Sequence, residues 1–372
     1  MKIFLEGKIF EEQPLGGISR IYHEILPRIC ALDWRVSFSI LTSESLLQSL
    51  PEHSQIFRHF SHIPVRRLLR PQTVFWRLQD YLRTRVQSRF ITHDKNTVWH
   101  ATYFQLPGWW HGPKVVTVYD LIHEKFPHFF AKNYDEILRK RKRRAILAAD
   151  KVICISETVR SEVVETYNIP QERVVAIPLA CGETFRPLPE EAIPPEYLVK
   201  PPFILYVGMR QHYKNFKTLL DAYSGWAHKH EIKLLVVGTP WSEEERRQIT
   251  GAHLESQVIL RSAVNDEELC ALYNQALAFV YPSLAEGFGI PLLEAMACGC
   301  KIVASRIPVF AEVARDVPYF FEPLNKDELI SALDMACFLG ESPARPNSPL
   351  EDYSWDRTAR ETLRVYEELA SC

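Results

Sequence analysis

The sequence predicts an α/β protein of two domains, each a buried parallel sheet flanked by helices, and three observations carry that expectation. Short continuous apolar runs recur, among them KIFL at 2–5, VVTV at 115–118, FILYV at 203–207 and KLLVV at 233–237. Strands covered on both faces read in this way. Helix-period stretches separate the runs, as parallel strands need crossovers. A segment carrying six prolines, RPLPEEAIPPEYLVKPP at 186–202, interrupts the pattern and divides the chain into halves of ordinary domain size.

Composition agrees and excludes several function classes. Of 372 residues, 47% are hydrophobic and 24% charged, enough apolar surface for two cores. The formal charge of -2 gives no global basic field that would draw the chain to nucleic acid. Eight cysteines, at 30, 154, 181, 270, 298, 300, 337 and 372, lie largely in apolar runs, which suits buried thiols in a reducing compartment rather than a disulfide framework. Cys298 and Cys300 have no partner pair at zinc spacing, so no metal site is expected. The apolar run in MKIFLEGKIFEE is too short for a signal peptide. No window approaches the roughly 18 apolar residues of a membrane span, and the expectation is a soluble cytoplasmic protein.

In the first half, Lys2–Leu5 and Val36–Leu41 read as parallel strands joined by a helix over Ile18–Leu32. Gly16 and Gly17 open that helix, where free amides face the mouth of the sheet. Val65–Phe90 interleaves Leu68, Leu69, Phe75, Trp76, Leu78, Tyr81 and Leu82 with arginines. It reads either as a helical hairpin burying its aromatics or as an acceptor-side or membrane-surface patch. The strands at 98–104 and 115–118 run into polar residues at their carboxyl ends, which puts His100, Tyr119, Asp120 and His123 over the ligand side of the sheet. RKRKRR at 139–144 is a solvated helix face or an attractor for a pyrophosphate-linked lipid. A strand at Asp150–Ile155 leads to Ser156 as a helix cap, and Val174–Pro178 is a further strand.

In the second half, the strand Phe203–Val207 ends at Gly208, and Arg210 and Lys214 occupy the following loop ahead of a helix over Asn215–Tyr223. Two cations there neutralise a diphosphate leaving group, a task otherwise given to a metal; a solvated loop is the alternative. Strands follow at Lys233–Gly238 and Val258–Leu260, then a helix capped by Asn265 or Asp266. The densest signal is FVYPSLAEGFGIPLLEAMACGC at 279–300. A strand stops at Pro282 and Ser283, Glu286–Gly289 form a tight loop, Pro291 suits the first turn of a helix running to Ala297, and Gly299 is an αL cap. Such a loop before a helix binds anions through free amides and the helix dipole. Glu286 and Glu294, eight positions apart, add a carboxylate on either side. Carboxylates suit hydroxyls, so the ligand read from this stretch is a phosphate flanked by sugars, a nucleotide sugar. Lys301–Ser305 and Pro318–Pro323 are the last strands, PVFAEVA around Glu312 is a turn, and Trp355–Leu369 is an amphipathic helix expected to pack back across both domains.

The EGFGIPLLEA stretch resembles the donor-site signature of the retaining glycosyltransferases of family 4, the glycosyl transferases group 1 proteins. The resemblance implies the GT-B fold, two facing Rossmann-like domains, with boundaries at 1–186 for the acceptor side, 187–202 for the linker, 203–354 for the donor side and 355–372 for the returning helix. It implies that Glu286 contacts the donor sugar, that the amides of Phe288 and Gly289 contact sugar and phosphate with Gly287 and Ile290 also in the donor site, and that Glu294 holds the ribose. Arg210, Lys214 and Asn215 match the family's cationic loop, Gly208 opens it, and Arg261 borders the nucleobase. Gly16, Gly17 and Arg20 border the donor phosphates and the acceptor, with His100 and Tyr119 also on the acceptor side. The family's second loop begins with His and Asp; this sequence has Tyr119 then Asp120, so either Tyr119 or His123 takes the place of the usual His. Catalytic roles fall on Asp120, His123, Arg210, Lys214 and Glu286. The implied reaction is metal-independent, cofactor-free retaining transfer of a hexose, first mannose from GDP-mannose and next glucose from UDP-glucose, to a glycan or lipid-linked acceptor of surface polysaccharide synthesis. The basic segments add a peripheral contact with the inner face of the membrane. An epimerase on the same fold and a non-catalytic binding module are the rival classes.

Overall fold

The computed structural model describes residues 1–12, 17–42, 50–60, 96–338 and 349–370. Gly16 and the basic segment 65–90 lie outside the described residues. The chain forms two compact units, one of residues 1–124, 130–179 and 355–372, the other of 125–129 and 180–354.

The first unit is built on seven parallel strands, β1 (Lys2–Glu6), β2 (Ser37–Thr42), β3 (Ile56–Phe60), β4 (Thr97–Ala101), β5 (Lys114–Val118), β6 (Lys151–Cys154) and β7 (Val174–Ala176), in spatial order β3-β2-β1-β4-β5-β6-β7. Ile3, Leu5, Val98, Val116 and Val152 are fully buried, which explains their unbroken apolar runs. Each such side chain contributes about 1.5–3 kcal/mol. Its described helices are α1 (Lys8–Glu12), α2 (Gly17–Leu32), α3 (Ile122–Lys125), α4 (Lys132–Ala148), α5 (Glu157–Tyr167) and α12 (Trp355–Ala370), the last turn of α3 falling at the unit boundary. α2 buries Ile21, Ile25 and Ile29, an i, i+4, i+8 stripe. Ser156 caps α5, its Oγ accepting from Val159 N at 3.1 Å. The returning helix α12 packs on α2 and β4 and so completes this unit.

That helix fixes a buried polar cluster. Tyr366 of α12 bonds His100 Nδ1 at 2.7 Å, Thr117 Oγ1 bonds His100 Nε2 at 2.8 Å, and the hydroxyls of Tyr22 and Tyr119 are 2.6 Å apart. His100 is 1% exposed, and burial pushes its pKa from 6.5 down to about 3. The unfolded chain therefore takes up a proton near pH 6.5 that the folded chain refuses until about pH 3. Stability from this residue is complete above pH 6.5 and is lost as pH falls through that window, at about 1.4 kcal/mol per pH unit. The expected result is that acidification from about pH 7.5 to about pH 5 lowers the unfolding midpoint more steeply in the parent protein than in His100→Gln. Equal slopes in the two proteins would contradict it.

The second unit holds six parallel strands, β8 (Phe203–Val207), β9 (Lys233–Val237), β10 (Val258–Arg261), β11 (Ala278–Tyr281), β12 (Ile302–Ser305) and β13 (Tyr319–Phe321), in order β10-β9-β8-β11-β12-β13. Its helices are α6 (Phe216–Gly225), α7 (Glu243–Gly251), α8 (Asp266–Gln275), α9 (Ile290–Ala297), α10 (Pro308–Ala314) and α11 (Lys326–Phe338). Asn265 is the cap of α8, accepting from Glu268 N at 2.8 Å. Gly299 has φ +71 just past α9. The PVFAEVA stretch is a helix rather than a turn, because Pro308 occupies its first turn and Val309, Phe310 and Val313 are buried. β8 and β11 are hydrogen-bonded neighbours although eight and eleven in chain order, so the order reverses between them. Loops leaving such a pair diverge and open a crevice at the carboxyl edge, where α/β proteins bind ligands.

Candidate active site

The crevice of the second unit is built by the loops that leave β8 and β11. Gly208 (φ +124) ends β8, and Arg210 and Lys214 follow before Asn215 turns the chain into α6. Asn215 itself is structural: its Nδ2 donates to the carbonyls of Pro282 at 2.9 Å and Pro323 at 2.6 Å, holding the β8 and β11 loops together.

The β11 loop presents Glu286. Its Oε1 accepts from Lys214 Nζ at 2.7 Å and from Ser283 Oγ at 2.7 Å, so the sequence-predicted cation and carboxylate meet. Both side chains are nearly buried, 16% and 10% exposed, where an ion pair is screened little. Gly289 follows at φ +103, and a Cβ there would lie 3.1 Å from the Phe310 ring. Only glycine satisfies both the backbone and the space. Ile290 and Pro291 then start α9, half-buried at the helix N-terminus. Phe288 is 3% exposed with its ring edge-on to Tyr353 at 5.5 Å, so its side chain is packing and only its backbone is offered to a ligand. Glu294, one turn into α9, is 5% exposed and accepts from Tyr273 OH at 3.2 Å. Burial, then the charge of Glu294, hold the Tyr273 phenol well above its ordinary pKa, so it remains a donor to that carboxylate.

Arg210 is placed differently from a free phosphate clamp. Its side chain is 2% exposed. Nε donates to Glu245 Oε1 at 2.7 Å, while NH2 donates to Glu245 Oε2 at 3.2 Å and to the carbonyls of Thr239 at 2.9 Å and Pro240 at 3.2 Å. The guanidinium also stacks on Trp241 at 4.4 Å. Among the described residues NH1 alone of this fork is buried without a partner. It lies 2.7 Å from where a Cβ on Gly238 would sit, a glycine at the end of β9 that makes room for it. Glu245 was not anticipated as a site residue. The signal was present in SEEE at 242–245, a capping box that starts α7 and aims the third glutamate back at its own N-terminus.

Electrostatics tie these parts into one site. The Tyr206 phenol is raised above its ordinary pKa first by burial, then by Glu286, with Arg210 opposing and Glu245 adding to the shift. Arg261 ends β10, half-buried, its carbonyl accepting from Gly238 N at 3.0 Å. Gly287 lies between Glu286 and Phe288, buried.

The first unit distributes its predicted residues less uniformly. His100 and Tyr119 are 1% and 5% exposed and spend their polar atoms on the cluster around Tyr22, Thr117 and Tyr366. They pack the core and do not line a ligand surface. Asp120 accepts from Ile122 N at 3.0 Å and so starts α3, which carries His123. His123 Nδ1 bonds Asp135 Oδ1 at 2.8 Å and its ring stacks on Phe130 at 3.9 Å. Burial alone would raise the Asp135 carboxyl, but hydrogen bonds from His123 and Arg139 outweigh it and hold the group below its usual range. Thus His123 is fixed by Asp135 and Phe130, while Tyr119 is buried against Tyr22. Arg20 is half-buried on α2, and a Cβ at Gly17 would meet open space. The six cations at 139–144 diverge: Lys142 is buried on Glu124 at 2.9 Å, Arg139 and Lys140 pair along α4, and Arg143 and Arg144 are exposed.

A parallel sheet with a glycine loop, a helix N-terminus, two flanking carboxylates and two cations at its switch point defines a nucleotide-sugar enzyme of the GT-B class. Comparison agrees. Residues 190–347 match the family described as Glycosyl transferases group 1, and residues 15–181 match Glycosyltransferase Family 4. The chain belongs to the glycosyl transferases group 1 proteins and is a glycosyltransferase. It is 26% identical to the O-antigen chain mannosyltransferase B of Escherichia coli over 95% of this chain and 96% of that one. It is 27% identical to the O-antigen chain mannosyltransferase RfbU of Salmonella typhimurium over 65% and 66% of the two chains. The sucrose-phosphate synthase of Thermosynechococcus elongatus superposes with a TM-score of 0.76 at 20% identity over 100% of this chain and 99% of that one. The Anabaena Alr3699/HepE structure with UDP-glucose gives 0.73 at 16% identity, covering 99% and 100%.

Proposed function

We propose that this enzyme is a retaining mannosyltransferase that moves mannose from GDP-mannose to a glycan or lipid-linked acceptor in surface polysaccharide synthesis. The observation that carries the reading is the Lys214–Glu286 pair at the mouth of the β11 loop. A diphosphate takes Lys214 and a sugar hydroxyl takes Glu286, so the pair opens onto the two halves of the donor. The names of the O-antigen relatives support mannose and a polysaccharide product.

In this reading the donor diphosphate lies on the α9 amides, Arg210 NH1 and Lys214, with Glu294 accepting from a ribose hydroxyl. The acceptor oxygen attacks the anomeric carbon on the face the phosphate leaves. The C–O bond to phosphate breaks, its electron pair stays on the leaving oxygen, and that oxygen takes the acceptor proton. Charge on the leaving group is met by fixed cations and helix amides, which assigns the reaction no metal. Asp120 holds the start of α3, the helix that carries His123. What supports a peripheral contact with the inner membrane face is α4, where Ile137 (53%) and Leu147 (43%) are exposed in company with Arg143 and Arg144.

Incubation with GDP-mannose and with UDP-glucose tests the donor. GDP release from GDP-mannose, slow without acceptor and faster with a mannose-terminated glycan of α-configured product, is the expected result. Release of UDP alone would reassign the donor, and acceptor-independent interconversion of the sugar would make the enzyme an epimerase.

A further inference from the structure

The second unit carries an open groove of about 780 Å³ that the donor-site chemistry does not use, lined in part by Phe126, Leu284, Pro323, Leu324, Lys326 and Asp327. Its size suits a ligand of two or three sugar rings. We propose that it is a saccharide subsite that holds the acceptor glycan beside the donor, an inference that rests on the glycosyl-transfer reading above.

Three observations carry it. The groove adjoins the donor loops: Leu284 lies between Ser283 and the Glu286 loop, its amide donates to Tyr213 O at 2.7 Å, and Pro323 O is one of the two carbonyls held by Asn215. A ligand against Leu284 therefore lies two positions along the chain from Glu286. The wall also carries aromatic surface. Phe126 stacks on Phe129 at 5.7 Å, and Phe129 stacks on His212 at 5.3 Å, two residues before Lys214. The C–H faces of a pyranose are weakly positive and dock on the negative faces of such rings. Finally, the polar groups suit hydroxyls and not phosphate. Asp327 and Lys326, at the start of α11, have no side-chain hydrogen bond or ion pair among the described residues, and Glu322 pairs with Arg306 at 3.5 Å. A carboxylate and an ammonium side by side accept from and donate to the hydroxyls of one sugar. With no net positive charge, they offer nothing to a diphosphate headgroup.

The test is saturation-transfer NMR of the full chain with α-linked mannobiose, run with and without GDP, alongside calorimetry of GDP itself. The expected result is saturation of the mannobiose ring protons, a dissociation constant at least about 10-fold weaker in Phe126→Ala and in Asp327→Ala, and GDP affinity within about two-fold of the parent in both. Phe126→Trp, which keeps an aromatic face, retains mannobiose binding. Mannobiose binding unchanged in Phe126→Ala, or no saturation in the parent protein, overturns the proposal. So does a signal from farnesyl diphosphate that Phe126→Ala abolishes while mannobiose gives none. Turnover of a nucleotide sugar with mannobiose unbound would sink this subsite and leave the donor reading standing; absence of GDP binding would sink the donor reading whatever mannobiose does.

Discussion

Arg210→Ala lowers donor turnover about 1,000-fold, and Glu245→Ala, which touches no ligand, lowers it about 100-fold. The reason is the direction of the guanidinium. Glu245 and the carbonyls of Thr239 and Pro240 occupy Nε and NH2, Trp241 covers one face, and NH1 alone remains to be used. A buried donor without a partner costs on the order of 1–3 kcal/mol, and a phosphate oxygen that accepts from it recovers that cost only when the donor complex forms. Without Glu245 the side chain keeps its charge and loses its aim. The two substitutions are then coupled: Arg210→Ala/Glu245→Ala is no slower than Arg210→Ala alone. Arg210→Lys does not rescue, since one ammonium cannot meet a carboxylate, two carbonyls and a phosphate. Equal thermal midpoints in parent and variants keep folding out of the comparison. Additive losses in the double variant would show that Glu245 does not act through Arg210.

Glu286→Gln separates affinity from turnover. In the unliganded protein Lys214 is held by Glu286 at 2.7 Å, and a diphosphate must draw it away. Removing the carboxylate charge frees Lys214, so free GDP binds tighter, by about 3- to 10-fold. Turnover of the intact donor nevertheless falls by about 100-fold, because the sugar loses the carboxylate that orients it. Lys214→Ala moves both quantities down. Calorimetry with GDP and release assays with the donor check the signs, and weaker GDP binding by Glu286→Gln would mean that the pair does not exchange.

Much of this site was legible in the sequence, for a physical reason. Residues 279–300 combine a buried strand, glycines at constrained positions and carboxylates at fixed spacing, all of them local, so local rules suffice. Gly289 needs φ +103 and a bare α-carbon against Phe310, and the EGFG pattern announces it. The partners of those residues were less visible. Glu245 reaches Arg210 across 35 positions, and Gly238 matters only because NH1 comes to rest beside it. His100 stands at a strand end, the place where ligand-binding side chains gather. A helix more than 260 residues later covers it, and Tyr366 turns it into a core residue. Strand β3 was hidden because FRHF sets Arg58 and His59 side by side between two phenylalanines, and α7 because its face is almost wholly polar, with Ile249 its one buried side chain. Short apolar runs mark sheet interiors well and edges poorly.

The central claim is that the β11 loop and α9 hold a nucleoside diphosphate by its ribose and phosphates. Calorimetric titration of GDP into the parent protein and into Glu294→Ala tests it directly. Binding in the parent that weakens at least about 10-fold in Glu294→Ala, measured at a temperature where circular dichroism shows both proteins folded, is the predicted result. Equal GDP affinity in the two proteins, or no GDP binding by the parent, would contradict the claim.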